Sequence, residues 1–150
     1  MADIKSPEER SRNMRAIRSK DTKPEIYLRK LLFAQGLRYR KNVQKLPGSP
    51  DMYLAKYRTA IFVHGCFWHR HQGCKYAYMP KSRTEFWVEK FDINVSRDRL
   101  VHEQLSRMGI RYLIVWECTI NAMVKSTIFR EDQLREILAF LEGTEESMEL

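Results

Sequence analysis

The 150-residue sequence predicts an α/β fold, a mixed sheet sandwiched by helices, on three observations. Two apolar runs rich in β-branched and aromatic residues, Ile61-Phe62-Val63 and Tyr112-Leu113-Ile114-Val115-Trp116, read as buried strands. A long segment beginning near Ser82 has helical periodicity. The remaining elements complete the order α-α-β-β-β-α-β-α, which a sheet covered by helices accommodates. The length suits a single domain over residues 1–150 that can bury its own core, with no repeat and no linker.

In order, Ser6-Pro7-Glu8-Glu9 is a helix start: a cap, a proline in the first turn and a glutamate three residues after the cap. The helix that follows, to about Ser19, has only Met14, Ala16 and Ile17 among Arg10, Arg12, Arg15, Arg18 and Lys20. So few apolar side chains bury little surface, and the segment reads as a basic arm over residues 1–20 that gains a place on a polyanion. A plain solvated basic helix is the alternative.

A second helix starts near Thr22 or Lys23, with Pro24 and Glu25 in its first turn. Tyr27, Leu28, Leu31, Leu32 and Ala34 form its apolar stripe, and Gly36 ends it. Leu37 to Lys41 alternates apolar and basic residues as a short strand. Met52 to Ala55, a turn at Lys56-Tyr57-Arg58 and Thr59 to His64 read as a β-hairpin. Ser82-Arg83-Thr84-Glu85 is a capping box that opens a helix to about Met108. Phe86, Trp87, Phe91, Val95, Leu100 and Leu105 are its inward candidates. Leu134, Ile137, Leu138 and Leu141 mark a last helix, and residues 144–150 read as a frayed acidic tail.

Hydrophobic residues make up 43% of the chain and charged residues 31%, and no apolar run approaches membrane-spanning length. No secretory signal precedes the first helix, so a reducing cytoplasm is the expected compartment. The net charge is +8, unevenly spread. Residues 1–41 carry 12 Lys+Arg against 5 Asp+Glu, whereas residues 130–150 carry 2 against 7. A basic body with an acidic C-terminal end suits a polyanion binder whose last segment faces away from the ligand.

The chemistry concentrates in residues 64–74, which hold three of the four histidines and two of the three cysteines. Three cysteines in a chain expected to stay reduced argue for metal or catalysis rather than a disulfide framework. Cys66, His71, Cys74 and Cys118 would complete a Cys3His zinc set, soft thiolates and one imidazole filling a tetrahedron. Three unrelated buried thiols are the alternative. Between the ligands, Phe67 and Trp68 either cap the core or project as a wedge that stacks on bases.

Asp51 follows Pro50 and stands at the start of a strand. The hairpin brings its carboxylate toward the strand carbonyls near residue 63 and toward His64 and His69. A carboxylate with backbone oxygens and waters is a hard site suited to Mg²⁺, and a nearby imidazole can deprotonate water near neutral pH. An ordinary strand-edge aspartate is the alternative.

Several blocks follow one another in order: Arg-Asn-Met-Arg-Ala-Ile at 12–17, Leu-Pro-Gly-Ser-Pro-Asp at 46–51 and His-Gly-Cys-Phe-Trp-His at 64–69. Arg-Thr-Glu-Phe-Trp at 83–87, Asn94, Arg97-Asp98-Arg99 and Leu-Ile-Val-Trp-Glu-Cys at 113–118 continue them. Over residues 6–142 these blocks resemble the very short patch repair (Vsr) endonucleases. The resemblance implies a restriction-endonuclease-like fold and a DNA-nicking hydrolase acting at T:G mismatches left by deamination of 5-methylcytosine. It makes Asp51 the Mg²⁺ carboxylate, the Val63 carbonyl a second ligand, His69 the general base, and Glu25 and His64 supports for waters and phosphate. It matches the cysteine–histidine set to a structural zinc. Phe67, Trp68 and Trp87 become a wedge in the DNA stack, Met14 enters from the other groove, and Lys90 and Asn94 contact the mismatched pair. Arg15 joins these DNA-binding residues. The chain departs from the wider nuclease pattern at Phe62-Val63-His64, where an acid and a lysine would otherwise stand.

The resemblance further implies a monomer in the bacterial cytoplasm, associated with the nucleoid, with mismatch-repair proteins as partners. Two rival functions remain at this level. A zinc-stabilised DNA-binding module explains the charge and cysteines but leaves Asp51 idle. A general endonuclease of the same fold explains all but the family blocks.

Overall fold

A computed structural model describes residues 21–150, so the basic arm, with Met14 and Arg15, lies outside the described residues. Five strands form one mixed sheet in the order β1 (Arg40–Lys41), β2 (Met52–Leu54), β3 (Thr59–His64), β4 (Arg111–Trp116) and β5 (Ser147–Glu149). β1, β2 and β3 pair antiparallel, with Met52 opposite Ile61. β3 and β4 pair parallel with Ile61 beside Leu113, and β5 adds parallel to β4 with Leu113 beside Met148.

Alternation along the strands divides the core into two layers. Met52, Leu54, Ile61, Leu113 and Val115 face helices α1 (Lys23–Ala34), α3 (Glu117–Lys125) and α4 (Thr127–Glu142). Ala60, Phe62, Ile114 and Trp116 face the other way, against Leu105 of α2 (Thr84–Arg107) and against Cys66. The two-residue period of β3 therefore sends His64 to the side of α2, where the chemistry collects.

Helix α1 begins as its sequence predicts. Thr22 Oγ1 accepts the N–H of Glu25, and the Thr22 N–H donates to Glu25 Oε2 at 3.3 Å, a reciprocal capping box. The hairpin also forms, turning through a 3₁₀ segment at Ala55–Tyr57 and a left-handed Arg58.

Four expectations give way. The predicted capping box at Ser82–Glu85 is absent: Arg83 caps α2 in a left-handed conformation (φ 53°) with no side-chain bond to the helix amides. Phe86 and Leu100 are not inward, being 45% and 51% exposed, because the face that α2 turns to the protein carries Phe91, Leu105 and the half-buried Val101 and His102 instead. The predicted strand at 37–41 shortens to Arg40–Lys41.

The acidic tail is the largest correction. Residues 147–149 form β5, with the Leu150 N–H bonded to the Ile114 carbonyl and the Trp116 N–H to the Leu150 carbonyl, each at 2.9 Å. The free edge of β4 supplies donors and acceptors that outweigh the poor strand propensity of glutamate. Helix α3, not anticipated, starts immediately after β4 and carries Cys118 in its first turn.

Candidate active site

The loop before Asp51 is held by close packing. Gly48 has a φ of +75°, and a Cβ there would lie 2.6 Å from a Val101 methyl on α2 and 3.0 Å from the Phe62 ring. Leu46-Pro47-Gly48-Ser49-Pro50 is thus pressed between α2 and β3, and it delivers Asp51 to the mouth of a pocket of about 290 Å³. Asp51, His64, His69, Arg97, Asp98 and His102 line this pocket.

Asp51 Oδ2 accepts the Val63 N–H at 2.6 Å. The observed contact with Val63 therefore runs through its amide N–H. Burial raises the Asp51 carboxyl to about 7; the Val63 N–H opposes this, the neighbouring Glu25 carboxyl adds to it and Arg29 opposes it. Glu25 and Arg29, one turn apart on α1, are both buried. Arg29 Nη2 donates to Asp21 Oδ1 at 2.8 Å, and Asn42 donates to the same oxygen at 3.0 Å. Among the described residues the buried Arg29 Nη1 has no hydrogen-bond partner.

Across the pocket the rings of His64 and His69 stack, and His69 Nδ1 lies 2.8 Å from Asp98 Oδ2 on α2. Burial first, then His69, holds His64 down to about 3 against the pull of Asp98. Asp98 stays below its ordinary value although burial raises it, because His69 bonds to it and His64 and His102 lie near. His102, one turn beyond Asp98, lies flat on Tyr112 with centroids 4.4 Å apart. Ligand-capable atoms of His64, His69 and Asp98 lie within 4.8 Å of one another.

The second cluster is the predicted one. Cys66, His71, Cys74 and Cys118 bring three sulfurs and an imidazole within 4.8 Å of one another, with Cys118 Sγ 3.5 Å from His71 Nδ1. Burial raises the Cys66 thiol to about 12, and the neighbouring thiols contribute. Three sulfurs that close carry either protons or a shared cation, and the donor set fits a soft tetrahedral metal such as zinc. This cluster could hold a metal ion. His71 stacks on Trp116 at 4.2 Å, and Trp116 also meets His64 edge-on at 5.3 Å, so one indole touches both clusters.

The aromatic residues between the ligands form neither a core nor free projections. Phe67 contacts Trp68, Tyr78, Trp87 and Phe91 with centroids 5.1 to 5.6 Å apart, and Phe67, Trp68 and Trp87 remain half-buried. The Lys90 ammonium stands 5.8 Å from the Trp68 ring, and Asn94 Nδ2 donates to the Trp68 carbonyl at 3.1 Å. Both side chains thus lie against the aromatic group.

Sequence reasoning assigned no role to Asp98, Arg29, His102 or Arg70. The spacing of Asp98 and His102 on one helical face was visible, but nothing local to α2 signalled that this face meets His69.

A carboxylate and two stacked imidazoles line one pocket of this basic α/β chain, with a half-buried aromatic group alongside, and the relatives of the chain are nucleases. The profile of the DNA mismatch endonuclease Vsr family matches residues 2–75. The DNA mismatch endonuclease Vsr of Escherichia coli (strain K12) is 48% identical over 127 residues, covering 85% of this chain and 81% of that protein. Type II nicking enzyme V.NmeAIP of Neisseria meningitidis serogroup A / serotype 4A (strain DSM 15465 / Z2491) is 47% identical over 121 residues, 81% of this chain and 86% of the relative. Type II nicking enzyme V.NmeDIP of Neisseria meningitidis serogroup C is 37% identical over 141 residues, 94% and 93% of the two chains. The chain belongs to the Vsr DNA mismatch endonuclease family.

Proposed function

We propose that this chain nicks one strand of duplex DNA at a T:G mismatch, the product of 5-methylcytosine deamination, by hydrolysing one phosphodiester. The observation that carries this reading is the pocket in which Asp51, hydrogen-bonded to the Val63 N–H, faces the stacked His64–His69 pair backed by Asp98. The names of the relatives, which are mismatch and nicking endonucleases, support it.

In this reading Asp51 and the Val63 carbonyl would hold Mg²⁺, with Glu25 supporting them from α1. Bound there, the ion supplies Lewis-acid stabilisation of charge on the phosphate. His69, its Nδ1 engaged by Asp98, presents Nε2 to the attacking water and takes its proton. His64 is neutral near pH 7 and serves as a hydrogen-bonding partner to phosphate rather than as a second base. The Cys66, His71, Cys74 and Cys118 cluster holds a structural zinc.

Selectivity arises beside the pocket. A wobble pair is cheaper to unstack than a matched one, and Phe67, Trp68 and Trp87 stack into the opened step, returning about 1–3 kcal/mol per base. Lys90 and Asn94 read the mismatched pair, while Met14 and Arg15 of the basic arm approach from the opposite groove. Substrate and net charge of +8 agree, since each neutralised phosphate releases counterions.

The helices on both faces of the mixed sheet support a restriction-endonuclease-like fold in one domain over 1–150, acting as a monomer. No described helix is long and apolar enough to cross a membrane. We place the enzyme in the bacterial cytoplasm at the nucleoid, with mismatch-repair proteins as partners. The test is a nicking assay with Mg²⁺ on matched and T:G duplexes of otherwise equal sequence. Cleavage confined to one strand of the T:G duplex is expected. Equal cutting of both duplexes would make the chain a general endonuclease, and binding without cutting a DNA-binding module.

A further inference from the structure

The loop that carries Phe67 and Trp68 is fastened at two places by different chemistry. Toward β4 and α3 it is gathered by Cys66, His71, Cys74 and Cys118. Toward α2 it is gathered by Arg70. This residue adopts a left-handed conformation (φ 55°), unfavourable for a side chain with a Cβ, so the strain needs compensating contacts.

The contacts are present. Arg70 Nη1 donates to the carbonyls of Phe67 and Tyr78, each at 3.1 Å, and Nη2 donates to the carbonyl of Ala77 at 2.7 Å. The guanidinium carbon stands 3.8 Å from the centroid of Phe91 on α2 and 5.6 Å from that of Phe67. One planar cation thus joins the start of the loop to residues ten and eleven positions later, and joins both to the helix beneath. Charge-assisted donors to carbonyls and a cation over an aromatic face are among the stronger polar contacts, and the fork geometry is particular to arginine.

We propose that Arg70 is the positioning residue of the aromatic wedge: its guanidinium, laid on Phe91 and bonded to the carbonyls of Phe67, Ala77 and Tyr78, fixes the direction of Phe67 and Trp68 separately from the cysteine–histidine cluster and thereby sets the preference for a mismatched base step. The proposal rests on the mismatch-nicking reading. A wedge that is already ordered loses little conformational entropy on insertion, whereas a loose loop must be ordered at that moment. Binding to a matched duplex runs through phosphate contacts and does not insert the wedge. Loosening the wedge therefore weakens the T:G complex and leaves the matched complex as it was.

A rival role for Arg70 is a direct contact with the DNA backbone, and lysine separates the two. Lysine keeps the charge but cannot fork three carbonyls and stack on Phe91. The measurements are affinities for T:G and matched duplexes, the fluorescence of 2-aminopurine beside the mismatch as a report of unstacking, zinc content and melting temperature. They are made on the wild type, Arg70→Lys, Arg70→Ala and the Phe67→Ala/Trp68→Ala double variant. Both Arg70 variants are expected to lose about tenfold or more of the T:G preference and most of the 2-aminopurine signal, with wild-type zinc content. The proposal fails if Arg70→Lys keeps the wild-type preference, if affinity for both duplexes falls equally, or if zinc is lost with the arginine. If the double variant itself retains the preference, the wedge reading falls, whatever Arg70 does. Should Arg70→Ala not fold, Arg70→Lys decides.

Discussion

The rings of His64 and His69 lie face to face, 3.8 Å apart and 7° from parallel, and Asp98 bonds only the second of them. Two imidazolium rings that close would repel, and with His64 held near 3 the pair carries at most one charge around neutral pH. The proposed division of labour between the two rings rests on this geometry. His69→Ala is expected to slow single-turnover nicking by roughly 10²-fold or more, and Asp98→Asn to slow it in the same direction by freeing the ring to rotate. Zinc content should stay at the wild-type level in both. Wild-type rates for His69→Ala would move the base elsewhere, and zinc loss would change the proposed ligand set.

Asp51 carries a pH signature with opposite signs for activity and stability. Its folded value of about 7 lies above the ordinary 3.8, so folding favours the protonated carboxyl. That contribution is complete below about 3.8 and is lost as pH rises to about 7, at roughly 1.4 kcal/mol per unit. Asp51→Asn should therefore raise the melting temperature at pH 8 and not at pH 4 in magnesium-free buffer. Nicking should vanish in this variant while T:G binding persists or tightens. In the wild type, nicking should fall as pH drops below 7, because a protonated carboxyl does not hold a cation. A variant melting like the wild type at both pH values would contradict the buried-carboxyl account.

Near-stoichiometric zinc is expected in protein freed of loosely held metal. Cys118→Ser should lose that zinc and melt lower, since Cys118 ties the loop of Cys66, His71 and Cys74 to the first turn of α3. A zinc-free protein that melts like the wild type would remove the structural-metal assignment.

Replacing Phe67 and Trp68 together by alanine should cost T:G binding well beyond any loss of stability. Both side chains are only half-buried, so little core is removed. Thermal melts beside binding curves decide it, and equal damage to both would make the pair core residues.

The C-terminal strand should matter to the fold. Deleting residues 144–150 removes β5 and the 2.8 Å bond from Trp116 Nε1 to Glu149 Oε1, exposing the edge of β4. A fall of about 5 °C or more in melting temperature is expected. An unchanged melt would mean that the tail adds nothing to the sheet.

The sequence by itself determined the elements whose signals are local. Thr22, Pro24 and Glu25 start α1 because a cap and its first turn are four residues long, and Ile61–Val63 and Tyr112–Trp116 are strands because burial on both faces shows as an unbroken apolar run. The clustered cysteines and histidines named a metal set because ligand chemistry is written in residue type and spacing. Tertiary structure decided what depends on a distant partner. Ser147–Glu149 has the composition of a solvated tail and becomes a strand because β4 offers an open edge. Asp98 is one carboxylate among many on an exposed helix until α2 crosses the sheet and sets it 2.8 Å from His69. Arg70 reads as one more surface cation until the loop closes and three carbonyls converge on it. Side-chain roles of this kind are absent from local pattern because a hydrogen bond depends on distance in space, and 29 residues of chain separate His69 from its partner.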